Sequence, residues 1–167
     1  MNTKKVLIVM GSSSDEKFMS ECAKVLDSFS VSYDMVVSSA HRTPDKTRKL
    51  AVEAKNNGYS VIIAGAGGAA HLAGVIASET VLPIIGVPLP SSYLSGMDAL
   101  LSTVQMPGGI PVATVAIGEA GAKNAALLAV EILALQDESL HKKLIDYRQT
   151  LAQSVSKKIN PKNAFAK

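Results

Sequence analysis

The chain has 167 residues and a mass of 17.4 kDa, with 47% hydrophobic and 19% charged side chains, enough for one buried core and too apolar for disorder. Aromatic residues make up only 4% and tryptophan is absent, which argues against a surface that stacks nucleic-acid bases. The net charge of +3 is unevenly placed: residues 1–136 carry 10 basic and 11 acidic side chains and residues 137–167 carry 7 and 3, so the excess is a solvated C-terminal end and not a nucleic-acid face.

Val6-Leu-Ile-Val-Met10 is an unbroken apolar run, the pattern of a strand buried on both faces. Gly11-Ser-Ser-Ser14 interrupts it, and Asp15 and Glu16 open a helix whose apolar positions Phe18, Met19, Cys22, Val25, Leu26 and Phe29 repeat every 3.6 residues. Tyr33 to Val37 reads as a second strand and Ser38 to Thr43 as a loop. Pro44 suits the first turn of a helix that ends near Gly58. Val61 to Ala64 is a third strand, followed by Gly65-Ala-Gly-Gly-Ala-Ala-His71 and a helix of small residues. Leu82 to Val87 and Val112 to Ile117 complete five strands, the last leading into an Ala/Leu-rich helix over 121–136. A final helix spans 138–155, with Leu140, Leu144, Tyr147, Leu151 and Val155 on one stripe. Strands alternating with helices predict an α/β three-layer sandwich around a parallel five-stranded sheet, one domain over residues 1–167, with a flavodoxin-like order 2-1-3-4-5 and an extra C-terminal helix.

No signal-peptide core precedes the first strand, and no apolar run is long enough to span a bilayer, so the chain reads as cytoplasmic with no membrane partner. The single Cys22 excludes an internal disulfide, and its place on the helical stripe predicts a buried thiol. Between Asn56 and Ala122 lie 67 residues without a lysine or arginine, holding 11 of the 12 glycines. A subunit this small cannot hide such a block alone, which predicts a homo-oligomer. The last helix, coming after the sandwich is complete, is expected to pack on a neighbouring subunit.

In such a sheet ligands bind beyond the carboxyl ends of the strands, between the first and the third. Three loops there are unusual. Gly11-Ser-Ser-Ser-Asp15 offers hydroxyls at a helix start, suited to an anion or to plain N-capping, and Asp15 suits either the helix dipole or ribose hydroxyls. Ser38-Ser-Ala-His-Arg-Thr-Pro44 places a residue that exchanges protons near neutral pH beside one that grips phosphate bidentately. Gly65-Ala-Gly-Gly-Ala-Ala-His-Leu72 lets backbone press against a flat ligand, with His71 as a pocket wall or a satisfied helix-start residue. The same run is a weak G-x-G-x-x-A dinucleotide fingerprint, set aside because it follows the third strand and no acidic residue stands about 20 positions on at a strand end. A phosphate loop of the G-x-x-x-x-G-K type, a nucleophile elbow and metal-ligand spacing are missing.

Taken together, Gly11-Ser-x-Ser-Asp15, Ser39-Ala-His-Arg-Thr-Pro44, Ala64-Gly-Ala-Gly-Gly-Ala-Ala-His-Leu72 and Gln105-Met-Pro-Gly-Gly-Ile-Pro-Val112 closely resemble the 5-(carboxyamino)imidazole ribonucleotide mutases of bacterial purine biosynthesis. The resemblance runs from about Val6 to the last helix. It implies an isomerase that moves a carboxylate from the exocyclic nitrogen of its ribonucleotide substrate to a ring carbon, without metal, nucleotide cofactor or biotin, in octamers with sites at subunit junctions. It also implies roles. Ser12 and Arg42 would hold the phosphate with Ser14 and Ser39 nearby, and Asp15 would bind the ribose. Gly67, Gly68, Ala70, His71 and Leu72 would line the base pocket, and His41 would carry the proton.

Two alternatives stand beside this one: an aminoimidazole ribonucleotide carboxylase that takes up free carbon dioxide, and a non-catalytic phosphoryl-ligand module. The carboxylase branch carries Ala-His-Lys where Ala40-His41-Arg42 stands and lacks the glycine–alanine run, which favours the mutase. Leu89-Pro-Ser-Ser-Tyr93 departs from the Val-Gln-Ser or Val-Glu-Ser of the mutases, so the resemblance assigns no contacts to this loop.

Overall fold

The computed structural model describes residues 5–155. Its strands are β1 (Lys5–Met10), β2 (Ser32–Val37), β3 (Tyr59–Gly67), β4 (Ile84–Leu89) and β5 (Ala113–Thr114). They form one parallel sheet in the order β2-β1-β3-β4-β5, as the alternating pattern predicts. The helices are α1 (Glu16–Phe29), α2 (Pro44–Glu53), α3 (Leu72–Glu79), α4 (Met97–Val104), α5 (Glu119–Ala134) and α6 (Glu138–Val155).

The register explains the two cores. Ile8 pairs with Met35 and Ile63, and Ile63 with Ile85, and strand alternation sends these side chains to one face. There they meet Met19, Cys22 and Leu26 of α1 and Ala125, Ala129 and Leu133 of α5. Leu7, Val9, Ile62 and Ile84 point to the other face, against Ala51 of α2 and Leu72, Ala73 and Ile76 of α3. On α1 the apolar stripe holds: Met19, Cys22, Leu26 and Phe29 are buried and Phe18 and Val25 half-buried.

The sequence pattern and the structure part company in four places. β3 continues to Gly67, so the first half of the glycine-rich segment is strand, not loop. α2 ends at Glu53, and turns lead to Gly58, whose φ of 86° only glycine adopts freely. β5 shrinks to two residues: its partner β4 carries Pro88, which has no N–H for the ladder, and beyond Thr114, among the described residues, only the Val115 and Gly118 amides reach β4, through the carbonyls of Gly86 and Pro88. Helix α4 was not expected. It buries Ala99 and Thr103 while Met97, Leu101 and Val104 stay exposed, an inverted pattern, and the residue before it is Gly96 without a capping side chain.

The last helix is divided. Leu140 and Leu144 join the core of their own subunit, Tyr147 lies 5.7 Å from Phe29 ring to ring, and the Lys143 ammonium donates to the Phe29 carbonyl at 2.8 Å. Leu151 remains exposed, and the side chain of Val155 lies outside the described residues. Among the described residues no helix is long and apolar enough to cross a membrane.

Candidate active site

Four strand ends, those of β1 to β4 with the segments that follow them, border a cavity of about 450 Å³. The first contributes Gly11, Ser12, Ser14 and Asp15, the second Ser39 to Arg42, the third Ala66, Gly67, Ala69 and Leu72, and the fourth Ser91.

The first loop is shaped by a reciprocal cap. The Ser12 amide donates to Asp15 Oδ2 at 2.9 Å, while Ser12 Oγ accepts from the Ser14 amide at 3.4 Å and the Ser14 hydroxyl at 3.0 Å. With its acceptor side taken, the Ser12 O–H is left to donate into the cavity. Asp15 is buried, and desolvation raises its pKa against the pull of the Ser12 amide, Lys17 and Arg42.

Hydroxyls also build the second loop. Thr43 Oγ1 receives the Ser39 amide at 3.0 Å, and Ser38 and Thr47 share a buried hydroxyl pair at 2.8 Å. Ser39 Oγ accepts the Arg42 amide at 3.2 Å, so this hydroxyl too keeps its proton for a ligand. The two neighbours His41 and Arg42 then turn to different strands. Arg42 Nη2 donates to the Gly11 carbonyl at 3.3 Å, over the end of β1. His41 Nε2 lies 2.9 Å from His71 Nδ1, over the loop after β3.

The third loop is held from outside. Gly68 takes the left-handed φ of 62°, with room around it but a backbone that a larger residue resists. Ser102 Oγ accepts the Ala70 amide at 3.2 Å, and Thr103 Oγ1 lies 3.4 Å from the Ala70 carbonyl. Both anchors belong to α4, the helix the sequence pattern concealed. Their only trace in the sequence is a Ser-Thr pair inside an apolar segment.

Of the residues to which the sequence motifs assign a role, Ser12, Ser14, Asp15, Ser39, His41, Arg42, Gly67 and Leu72 border the cavity. Gly68, Ala70 and His71 do not: Gly68 makes the turn, Ala70 is buried under α4, and His71 meets the site through His41. Gly11, Ala40, Ala66 and Ala69, which stand in the motifs without an assigned role, also border it, as does Ser91 of the Leu89–Tyr93 segment. The arrangement offers an anion site over β1 (one guanidinium and two hydroxyl donors), a buried carboxylate beside it, and a proton-exchanging pair over β3 against a wall of small residues. Among the described residues no group of three or more His, Cys, Asp or Glu is placed to hold a metal.

A family model described as AIR carboxylase matches residues 5–154, nearly all of the chain. The chain belongs to the AIR carboxylase family. Within it, proteins named N5-carboxyaminoimidazole ribonucleotide mutase are close relatives. That of Escherichia coli (strain K12) is 53% identical over 98% of this chain and 96% of its own length. That of Bacillus subtilis is 55% identical over 89% and 91%. That of Pyrococcus abyssi is 57% identical over 88% and 83%. Among solved structures, Treponema denticola PurE superposes with a TM-score of 0.82 at 31% identity, covering 91% of this chain and 94% of that one. The family's flavodoxin-like sheet is thus the sheet seen here.

Proposed function

We propose that this AIR carboxylase family member is an isomerase, a mutase that converts 5-(carboxyamino)imidazole ribonucleotide into 5-amino-4-imidazolecarboxylate ribonucleotide. The observation that carries this reading is the divergence of His41 and Arg42, which puts a guanidinium over β1 and an imidazole over β3 in one cavity, as a phosphate grip and a proton carrier would require. The mutase names of relatives at 53–57% identity support it.

The chemistry asks for these groups. When the exocyclic nitrogen accepts a proton, the carbamate C–N bond breaks and carbon dioxide is released beside an electron-rich ring. The ring carbon then attacks carbon dioxide, forms a C–C bond and gives up its proton. One histidine can donate the first proton and recover the second, so nothing is consumed. In this reading His41 is that group, with Ser12 and Arg42 on the phosphate, Ser14 and Ser39 nearby, Asp15 on the ribose, and Gly67 and Leu72 against the base, backed by Gly68, Ala70 and His71 from outside the cavity. Anchoring the phosphate supplies the positioning that carbon dioxide, with no handles of its own, cannot. Glycine and alanine let the backbone press close to the reacting groups, which would limit escape.

The same reading has residues 1–167 act as a single catalytic domain in the cytoplasm, assembled as a homo-octamer. Tyr93, Leu94, Met97, Leu101 and Val104 form an exposed apolar stretch in the part of the chain that has no lysine or arginine, which supports assembly. The second reading, suggested by the name of the family model, is a carboxylase using free carbon dioxide. Assay of the purified protein without metal or ATP separates them. The mutase turns over the carbamate nucleotide directly, whereas the carboxylase requires bicarbonate with the decarboxylated nucleotide. Turnover of neither substrate would leave the non-catalytic module.

A further inference from the structure

Ser91 enters the cavity from the end of β4 and leans back over the end of β3. Its hydroxyl occupies the space that a side chain on Gly67 would need: a Cβ built on Gly67 would collide with Ser91 Oγ. The position is set by backbone. Pro90 fixes one dihedral just before it, and the Ser91 amide donates to the Leu89 carbonyl at 2.9 Å. Among the described residues no hydrogen bond engages the Ser91 hydroxyl, which is exposed toward the cavity.

The cavity has a direction. Adjacent strands lie about 4.8 Å apart, so β2 and β4, with β1 and β3 between them, are separated by roughly 14 Å across the site. The Arg42 guanidinium lies over β1, the His41–His71 pair over β3, and Ser91 comes from β4 beyond them. A nucleotide with its phosphate on Arg42 therefore presents its heterocycle to His41, Gly67 and Ser91. On that wall Ala66, Gly67, Ala69 and Leu72 have no side-chain donor, so the Ser91 O–H is the side-chain hydroxyl that can donate there, beside whatever backbone amides face the ligand, to an anionic group on the ring.

We propose that the Ser91 hydroxyl donates a hydrogen bond to the migrating carboxylate and retains it between the two halves of the reaction; this rests on the mutase reading above. The bond between carbon dioxide and the exocyclic nitrogen breaks as His41 protonates that nitrogen, a C–C bond forms at the ring carbon, and the ring proton returns to His41. Through both steps Ser91 holds the same carboxyl oxygens and exchanges no proton.

The test compares wild type, Ser91→Ala and Ser91→Thr. Calorimetry measures binding of two nucleotides, the stable 4-carboxylate product and the same ribonucleotide lacking the carboxylate. Turnover of the carbamate substrate is followed in parallel, with the decarboxylated nucleotide released per cycle as the readout. Ser91→Ala should weaken the carboxylated ligand about tenfold, the scale of one hydrogen bond to a charged group, and the decarboxylated one less than twofold. It should also release more decarboxylated nucleotide, while Ser91→Thr keeps the wild-type preference. Equal weakening of both ligands, or no change in either, overturns the assignment of Ser91 and leaves the mutase reading standing. Wild type that binds neither nucleotide overturns the mutase reading and this inference with it.

Discussion

His41 Nε2 and His71 Nδ1 lie 2.9 Å apart, their rings nearly perpendicular at 87°. Only one of the two facing nitrogens can carry a hydrogen in this geometry, so the rings cannot both be imidazolium. When His41 is charged, His71 must accept from it. His71 thus decides which nitrogen of His41 holds its proton, although His71 itself does not border the cavity. His41→Asn should keep nucleotide affinity and lose turnover about a hundredfold or more. His71→Ala should lower kcat with little change in KM, and His71→Asn, whose amide can stand where Nδ1 stood and either accept or donate, should recover much of it. Steady-state kinetics of the three variants decides. Near-normal turnover in His41→Asn would move the proton carrier elsewhere.

Arg42 should act on binding. Its guanidinium is exposed and spends one described donor on Gly11, leaving the others for an anion. Arg42→Ala should raise KM for the phosphorylated substrate about tenfold or more, with kcat less affected. The dephosphorylated nucleoside should bind wild type and variant equally poorly. A variant that still prefers the phosphorylated form as strongly as wild type would refute the assignment.

Asp15 sets function against stability. Burial raises its pKa, so the folded chain holds this proton more tightly than the unfolded chain, and wild type loses stability from this group as pH rises through the window above the ordinary carboxylate value, about pH 4. Asp15→Asn keeps an oxygen for the Ser12 amide and has no charge to desolvate. The stability of the variant relative to wild type should therefore increase from pH 3.5 to pH 7 (roughly spanning that window) and then level off, while nucleotide affinity falls. Denaturant midpoints across this range measure it. A variant that loses ground to wild type as pH rises would show that the Ser12 hydrogen bond and the charges of Lys17 and Arg42 outweigh the burial of the carboxylate.

Cys22 should be inert. It is fully buried among Met19, Leu26 and the α5 alanines, and burial pushes its thiol up to about 12. A thiol reagent at pH 8 should modify the protein only as fast as it unfolds, and loss of activity should not precede loss of helix signal. Rapid modification of the native protein would contradict this packing.

Assembly should depend on α4. Light scattering of the full chain should give a mass near eight times 17.4 kDa. Leu101→Glu, a substitution at a half-exposed position that leaves Ala99 and Thr103 in place, should yield smaller species that retain secondary structure. An active monomer of the unmodified chain would refute the oligomer reading.

Local pattern was enough for much of this molecule. The continuous apolar runs at Val6–Met10 and Val61–Ala64 declare strands buried on both faces, and the α1 stripe declares its inward side, because strand and helix periods are properties of neighbouring residues. The three site loops were legible for the same reason: each is a short, unusual run at a strand end. What the sequence could not show were pairings across about thirty residues. The His41–His71 contact, the grip of Ser102 and Thr103 on the Ala70 backbone, and the seat of Ser91 on Gly67 each join groups with no shared period. Helix α4 hid because it buries an alanine and a threonine and exposes its large apolar residues, the reverse of the rule by which sequence patterns are read. Only the parallel order β2-β1-β3-β4, which gathers the ends of four strands at one edge of the sheet, brings these residues into one cavity.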